Sequence, residues 1–178
     1  MIKLYQNNIG TAILRFEDGY PVAFMKDMIV DPDTGKIEAF WVKPTRHFLS
    51  YAIIQTQDIV EWKKNIYVKN EDVLVDPVDV IKISNILSQK REVIGNEVRT
   101  ESGVSLGHVV DIDFDVQYYY LRNLYVQKRL LGLWSYQKRI LNYETIIEIF
   151  PEYILVKDKK QVREKIAEAL LKKADCAG

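Results

Sequence analysis

Residues 94–126 read IGNEVRTESGVSLGHVVDIDFDVQYYYLRNLYV, and residues 9–42 read IGTAILRFEDGYPVAFMKDMIVDPDTGKIEAFWV. The two stretches align. Gly19 matches Gly103, Asp27 matches Asp111, Asp31 matches Asp115 and Val42 matches Val126, all at one constant offset. The opening Ile-Gly pairs, Ile9-Gly10 and Ile94-Gly95, slip from that offset by a single position. A repeat whose unit is nearly half the chain implies a duplicated domain rather than a solenoid unit. Ile66-Tyr67-Val68-Lys69 and Ile154-Leu155-Val156-Lys157 extend the match at a slightly wider offset, which places added residues in the second copy around Leu131–Gln137.

Within each copy the signals are those of short strands. Thr11–Phe16 is followed by the turn Glu17-Asp18-Gly19. Asp-Gly between apolar runs is a hairpin signal. Pro21–Val30 reads as the next strand, with Pro21 at its first position, where a missing N–H does least harm. Asp31-Pro32-Asp33-Thr34-Gly35 is a turn, and Lys36–Val42 returns as a strand that Pro44 is expected to break. Phe48–Gln55, Ile59–Trp62 and Asn65–Lys69 complete the set, whereas Met1–Tyr5 reads only as an apolar lead-in. Short strands with turn signals every eight to twelve residues point to a sandwich or a small barrel. Asp76-Pro77 opens a helix expected over about 77–90, with Val80, Ile83, Ile86 and Leu87 as its apolar stripe. A second helix is expected from Asp158 to Ala174, with Val162, Ile166, Ala169 and Leu170 on one side. The expected organisation is a first barrel at 1–75, a linker helix at 76–91, a second barrel at 92–157, and a helix with its tail at 158–178.

The totals narrow the function classes. The chain has 178 residues, zero net charge, 48% hydrophobic and 28% charged residues, the balance of an ordinary globular protein. Zero net charge counts against a general nucleic-acid or anionic-membrane surface, although a local patch can sit within it. The single cysteine, Cys176, cannot form an internal disulfide, and no run of 18 apolar residues offers a membrane span. Asn7, Asn8 and Gly10 interrupt any signal-peptide core, so a cytoplasmic location is expected.

The matched stretches resemble the PRC-barrel family, named for the cytoplasmic domain of the photosynthetic reaction-centre H subunit. The first copy carries Gly10, Gly19, Asp27, Ile29, Val30, Asp31, Pro32, Thr34, Gly35 and Trp41-Val42 of the family pattern; the second carries Gly95, Gly103, Leu106, Gly107, Val109, Asp111, Phe114, Asp115 and Tyr125-Val126. The first departs from it at Ala23, where the pattern has glycine. The second has Val116-Gln117-Tyr118-Tyr119 in place of the Pro-x-Thr-Gly turn. The resemblance implies a mainly β protein of two tandem PRC-like β-barrels, each followed by an α-helix. It supplies no common catalytic motif, and neither the reaction-centre role nor that of the ribosome-maturation relative transfers.

Candidate chemistry is sparse. Asp111, Asp113 and Asp115 alternate with apolar residues, so one strand face would carry three carboxylates; the expectation is a wet acidic face rather than a metal site. Asp31-x-Asp33-x-Gly35 lacks the glycine and glutamate positions of a calcium loop and reads as a turn. His108 falls in a strand as a structural imidazole, and with one cysteine there is no zinc set. No nucleophile elbow, phosphate loop or dinucleotide fingerprint is present. No catalytic residue, metal or cofactor is therefore expected. The segment from Lys128 to Arg139 is the best binding candidate: Lys128, Arg129, Lys138 and Arg139 supply four cations, and Trp134 and Tyr136 two aromatics, with no acid between. The plain expectation is that Leu130, Leu133, Trp134 and Tyr136 fill the barrel and the cations are solvated strand ends; as a binding surface, aromatics and cations together suit a protein interface or single-stranded RNA. The function expected is a non-enzymatic protein-binding or adaptor module whose partner the residues do not name. The alternative is an RNA- or ribosome-associated assembly factor, and a homo-oligomer is a further option.

Overall fold

The computed structural model describes residues 1–46, 50–129 and 136–158. The protein is mainly β. Strand β1 is Ile2–Leu4; β2 is Ala12–Arg15; β3 is Pro21–Val30; β4 is Ile37–Pro44; β5 is Ala52–Gln55; β6 is Ile59–Trp62; and β7 is Ile66–Val68. Helix α1, Ile81–Ser88, separates these from β8 (Glu97–Thr100), β9 (Ser105–Asp115), β10 (Tyr120–Arg129), β11 (Tyr136–Asn142), β12 (Ile146–Ile149) and β13 (Tyr153–Val156). One sheet has the order β5-β4-β3-β2-β7-β6. The other has β11-β10-β9-β8-β13-β12, with β1 added on β9. The two orders match strand for strand, including the parallel pairs β2/β7 and β8/β13.

Residues matched in sequence hold matched positions in the sheets. Asp27 lies opposite Trp41 and Asp111 opposite Tyr125, each beside a one-residue bulge, at Lys26 and Val110. A second bulge falls at Glu38 in one sheet and at Arg122 in the other, again at the offset of the repeat. Each bulge reverses which side chains face the core, so both copies must carry it to keep their apolar faces buried. Asp27 and Asp111 accept from the following backbone N–H, at 2.7 Å and 2.9 Å, and so satisfy a donor that the bulge has displaced.

The turns after β3 and β9 also coincide. The Asp31 side chain accepts from Asp33 N–H at 3.0 Å and that of Asp115 from Gln117 N–H at 2.7 Å; Gly35 and Tyr119 N–H each close the turn at 2.8 Å. Gly35 has φ +71°, and Tyr119, without a glycine's freedom, takes φ +57° at the equivalent place. Tyr119 packs its ring against Phe40 and Trp62, which holds it in that conformation.

These two turns also join the halves. Ile37 N–H donates to Tyr119 O at 2.7 Å, Leu121 N–H donates to Gly35 O at 3.0 Å, and Lys36 and Tyr120 form an antiparallel bridge. Each bond is the other with the copies exchanged, so a pseudo-twofold axis passes through the bridge. One continuous core crosses it, containing Phe40, Trp62 and Phe114 with ring centroids 5.3–6.5 Å apart. Two small sheets thereby share the apolar burial that neither supplies in quantity alone.

Several expectations change. Met1–Tyr5 is not merely a lead-in: Ile2, Lys3 and Leu4 pair with Asp115, Phe114 and Asp113. A three-residue strand has no period to detect, and its partner is more than a hundred residues away. Pro44 ends β4 as its last residue, opposite Ala23, rather than standing outside it. The helix expected over 77–90 is a single 3-10 turn at Pro77–Asp79 followed by α1, because Val80 is extended between them. Asp76 caps the turn, accepting from Val78 N–H at 3.0 Å. Lys90, at φ +54°, takes the left-handed position just past the helix end that glycine often fills. Helix α1 buries Ile83 and Ile86 against Ile29, Ala39 and Ile53, the outer face of the first sheet. The second expected helix, beyond Asp158, lies outside the described residues.

Burial also sets three tyrosines apart. Desolvation pushes the Tyr119 hydroxyl up to about 12. Tyr5 is raised by burial and then by its bond to Asp27, and Tyr143 by burial and then by Asp31 and Asp33. The folded state keeps protons that the unfolded chain loses near pH 10. The stabilisation is therefore complete below pH 10 and is lost as pH rises through about 12. Alkaline titration followed by tyrosinate absorbance should show these three, with the Asp113-bonded Tyr125, ionising late among the eleven tyrosines, together with unfolding. A single unshifted transition near pH 10 in folded protein would contradict their burial.

Candidate functional site

The segment singled out by composition lies at the end of the β10–β11 ribbon. Arg129 pairs with Tyr136 at the last rung, Lys128 with Gln137, Gln127 with Lys138 and Val126 with Arg139. Trp134 lies outside the described residues. Residues directly opposite in an antiparallel pair share a face. Val126, 1% exposed, therefore places Arg139 on the core side of the ribbon, and Lys128 follows two residues on. Lys128 is tied down there, its Nζ donating to Ser105 O at 2.7 Å. Arg139 donates to the Gln137 side chain at 2.8 Å. Lys138 is exposed on the opposite face beside Gln127. Lys128 and Arg139 are thus separated from Lys138 by the thickness of the ribbon, and the cations do not gather into one stripe.

The outer face beyond Lys138 has a feature that the sequence reading missed. Trp41 lies opposite Ile53 in the first sheet, and Tyr125 lies opposite Ile140 in the second. Ile53 is fully buried because α1 covers it, whereas Ile140 is 63% exposed. Inward from Ile140, the positions of Ile29 and Ala39 are held by Asp113 and Asn123. Asp113 is 5% exposed and accepts from Asn123 N–H at 3.1 Å, from its side-chain amide at 3.0 and 3.1 Å, and from Tyr125 OH at 2.9 Å. That bond is the main reason the Tyr125 hydroxyl is raised. Three donors satisfy the buried carboxylate, so it is a closed network. The sequence signs of this difference were the aspartate at the position of Ile29 and the asparagine at that of Ala39.

The wet acidic face expected for Asp111, Asp113 and Asp115 is accordingly corrected at Asp113. Asp111 accepts from Gln6 N–H at 3.1 Å, and Asp115 is lowered chiefly by the Gln117 N–H. Among the described residues no group of three or more His, Cys, Asp or Glu side chains is placed to hold a metal ion. His108 projects outward from β9 and is exposed. Across the pseudo-axis Tyr5 OH donates to Asp27 at 2.7 Å, and the Asp111 charge also acts on it. Lys3 sits over the Trp62 ring at 5.4 Å and donates to Lys63 O at 3.0 Å; burial lowers its pKa. These contacts fasten the first residues of the chain to both sheets.

No helix among the described residues is long and apolar enough to cross a membrane. Compared with known proteins, the chain matches no family model and no curated protein.

Proposed function

We propose that this chain is a protein-binding module of two tandem PRC-like barrels, each followed by a helical segment, which works in the cytoplasm. Its docking surface is the outer face of β10–β11 around Ile140, Tyr125, Gln127 and Lys138. The observation that carries the reading is the contrast between Ile53 and Ile140. At matched positions the first is fully buried beneath α1 and the second is 63% exposed. An exposed aliphatic side chain flanked by an aromatic and a cation is the composition of an interface centre with a polar rim. The natural occupant is an amphipathic helix placed as α1 is placed on the first sheet. The PRC resemblance agrees with binding rather than catalysis, because that family offers no shared catalytic motif.

A photoreactive amino acid at position 140, with one at the exposed Val60 of β6 as control, tests the proposal in cell lysate. A crosslink to a separate protein at 140 and not at 60, abolished by Lys138→Glu, is expected. Crosslinks only within the chain would assign the face to residues 158–178, and a crosslinked dimer would assign it to a second copy. Nuclease-sensitive, steeply salt-dependent capture would favour the RNA alternative instead.

A further inference from the structure

The pseudo-twofold relation makes one difference between the halves informative. On β9, the edge turned away from β10 is covered by β1. Tyr5 N–H donates to Ile112 O at 2.9 Å, Lys3 lies opposite Phe114, and Val116 N–H donates to Met1 O at 3.0 Å. The matching groups on β3 are the Met28 carbonyl, the Val30 N–H and carbonyl, and Pro32, which has no N–H to offer. Val30 lies opposite Ile37, yet Ile37 N–H is spent on Tyr119 O, so this rung is not hydrogen-bonded. The amide and carbonyl of Val30 therefore point away from β4. Strand β2 pairs with β3 only as far as Phe24, and the backbone contacts from Gly10 and Thr11 end at Met25. No strand among the described residues pairs with the Met28–Val30 edge. The chain that would correspond to β1 is the C-terminal end of α1.

A cavity of about 170 Å³ adjoins this edge. It is walled by Met28, Val30, Trp41, Ile86, Leu87 and Val93. The apolar wall of a cavity of about this size can take a benzene-sized group. Of the charged groups that line it, Asp27 accepts from Tyr5 and Arg91 donates to Asp33 at 2.7 Å, while Lys90 and Glu92 complete its polar side. A short run of backbone donor and acceptors thus stands beside a hollow with one apolar wall and one charged side.

We propose that the Met28–Val30 edge is a β-augmentation site. It takes an extended peptide segment as an added antiparallel strand, bonded through Met28 O and both backbone groups of Val30, with one apolar side chain of the peptide in the adjoining cavity. Main-chain pairing supplies the attachment, and the cavity supplies selectivity for a medium-sized aliphatic or aromatic residue. The site lies on the other sheet from the β10–β11 face and does not depend on it.

The probe is the capped peptide acetyl-MIKLY-amide, which carries the sequence that fills the matching edge. It is titrated into the ¹⁵N-labelled full chain. Saturable shifts centred on Met28–Val30 and slowed exchange of the Val30 amide are expected. The same peptide with proline in place of its lysine, unable to donate to Val30 O, should bind at least tenfold more weakly. The variant Leu87→Trp, which fills the cavity, should weaken binding to a similar degree. Shifts confined to Ile112–Val116 would mean that the peptide merely displaces β1 and would overturn the proposal, as would equal binding of the proline peptide. Concentration-dependent shifts at Val30 without peptide, accompanied by dimerisation, would replace the peptide by a second copy as occupant. The proline comparison leaves the protein unaltered, so the test stands even if Leu87→Trp misfolds.

Discussion

Gly107→Ala is expected to destabilise the protein by about 3–5 kcal/mol, among the largest effects available to one methyl group. Gly107 has φ +116°, far from the conformations an L side chain prefers. A Cβ there would run into the backbone of β10, at the Gln127 carbonyl and the Lys128 Cα. A main chain held in the ladder cannot swing aside as a flexible side chain can. The matched position of the first copy is the fully buried Ala23, which is not among the positive-φ residues. Alanine at 23 and glycine at 107 thus follow from the backbone conformation that each position takes. Guanidinium unfolding of the variant should show a lower midpoint with an unchanged slope. A midpoint indistinguishable from that of the parent would refute the close approach of β9 and β10.

The second large effect is Phe114→Ala, expected to cost about 3–5 kcal/mol. Phe114 is fully buried and faces Phe40 at 6.5 Å and Trp62 at 5.7 Å, both from the other sheet. Its removal leaves a cavity where the two sheets meet, bounded by strands that hydrogen bonds prevent from collapsing inward. Tryptophan fluorescence and far-UV circular dichroism should shift together to a lower denaturant concentration, because one core serves both halves. Two separated transitions would mean that each sheet carries its own stability.

The strands and turns were legible because local chemistry sets them. Pro21–Val30 and Ile59–Trp62 were read with the bounds they have. The Asp31–Gly35 turn rests on an aspartate side chain and a glycine φ, both local. The left-handed Tyr119 was not legible, since its conformation is held by rings from the other copy. The candidate site was half legible. Composition marked Lys128–Arg139, but nothing in the segment divides its cations between two faces or shows Ile140 uncovered. Asp113 was read as wet because period two alone cannot reveal that Asn123 and Tyr125 close over it.

By itself the sequence determined a mainly β chain built on an internal repeat, the order of most strands along the chain, the turn chemistry and the Asp76-capped turn that precedes the linker helix. Each of these depends on neighbours within a few residues or on periodicity along one strand. Only the tertiary structure decided the strand role of Met1–Tyr5, the shared core of Phe40, Trp62 and Phe114, and the pseudo-twofold bridge at Lys36 and Tyr120. It alone decided which matched surfaces are covered, α1 over Ile53 and β1 along β9, and which are not. The reason is that these depend on pairings between distant parts of the chain, where the energy resides in mutual burial and no local pattern records the partner.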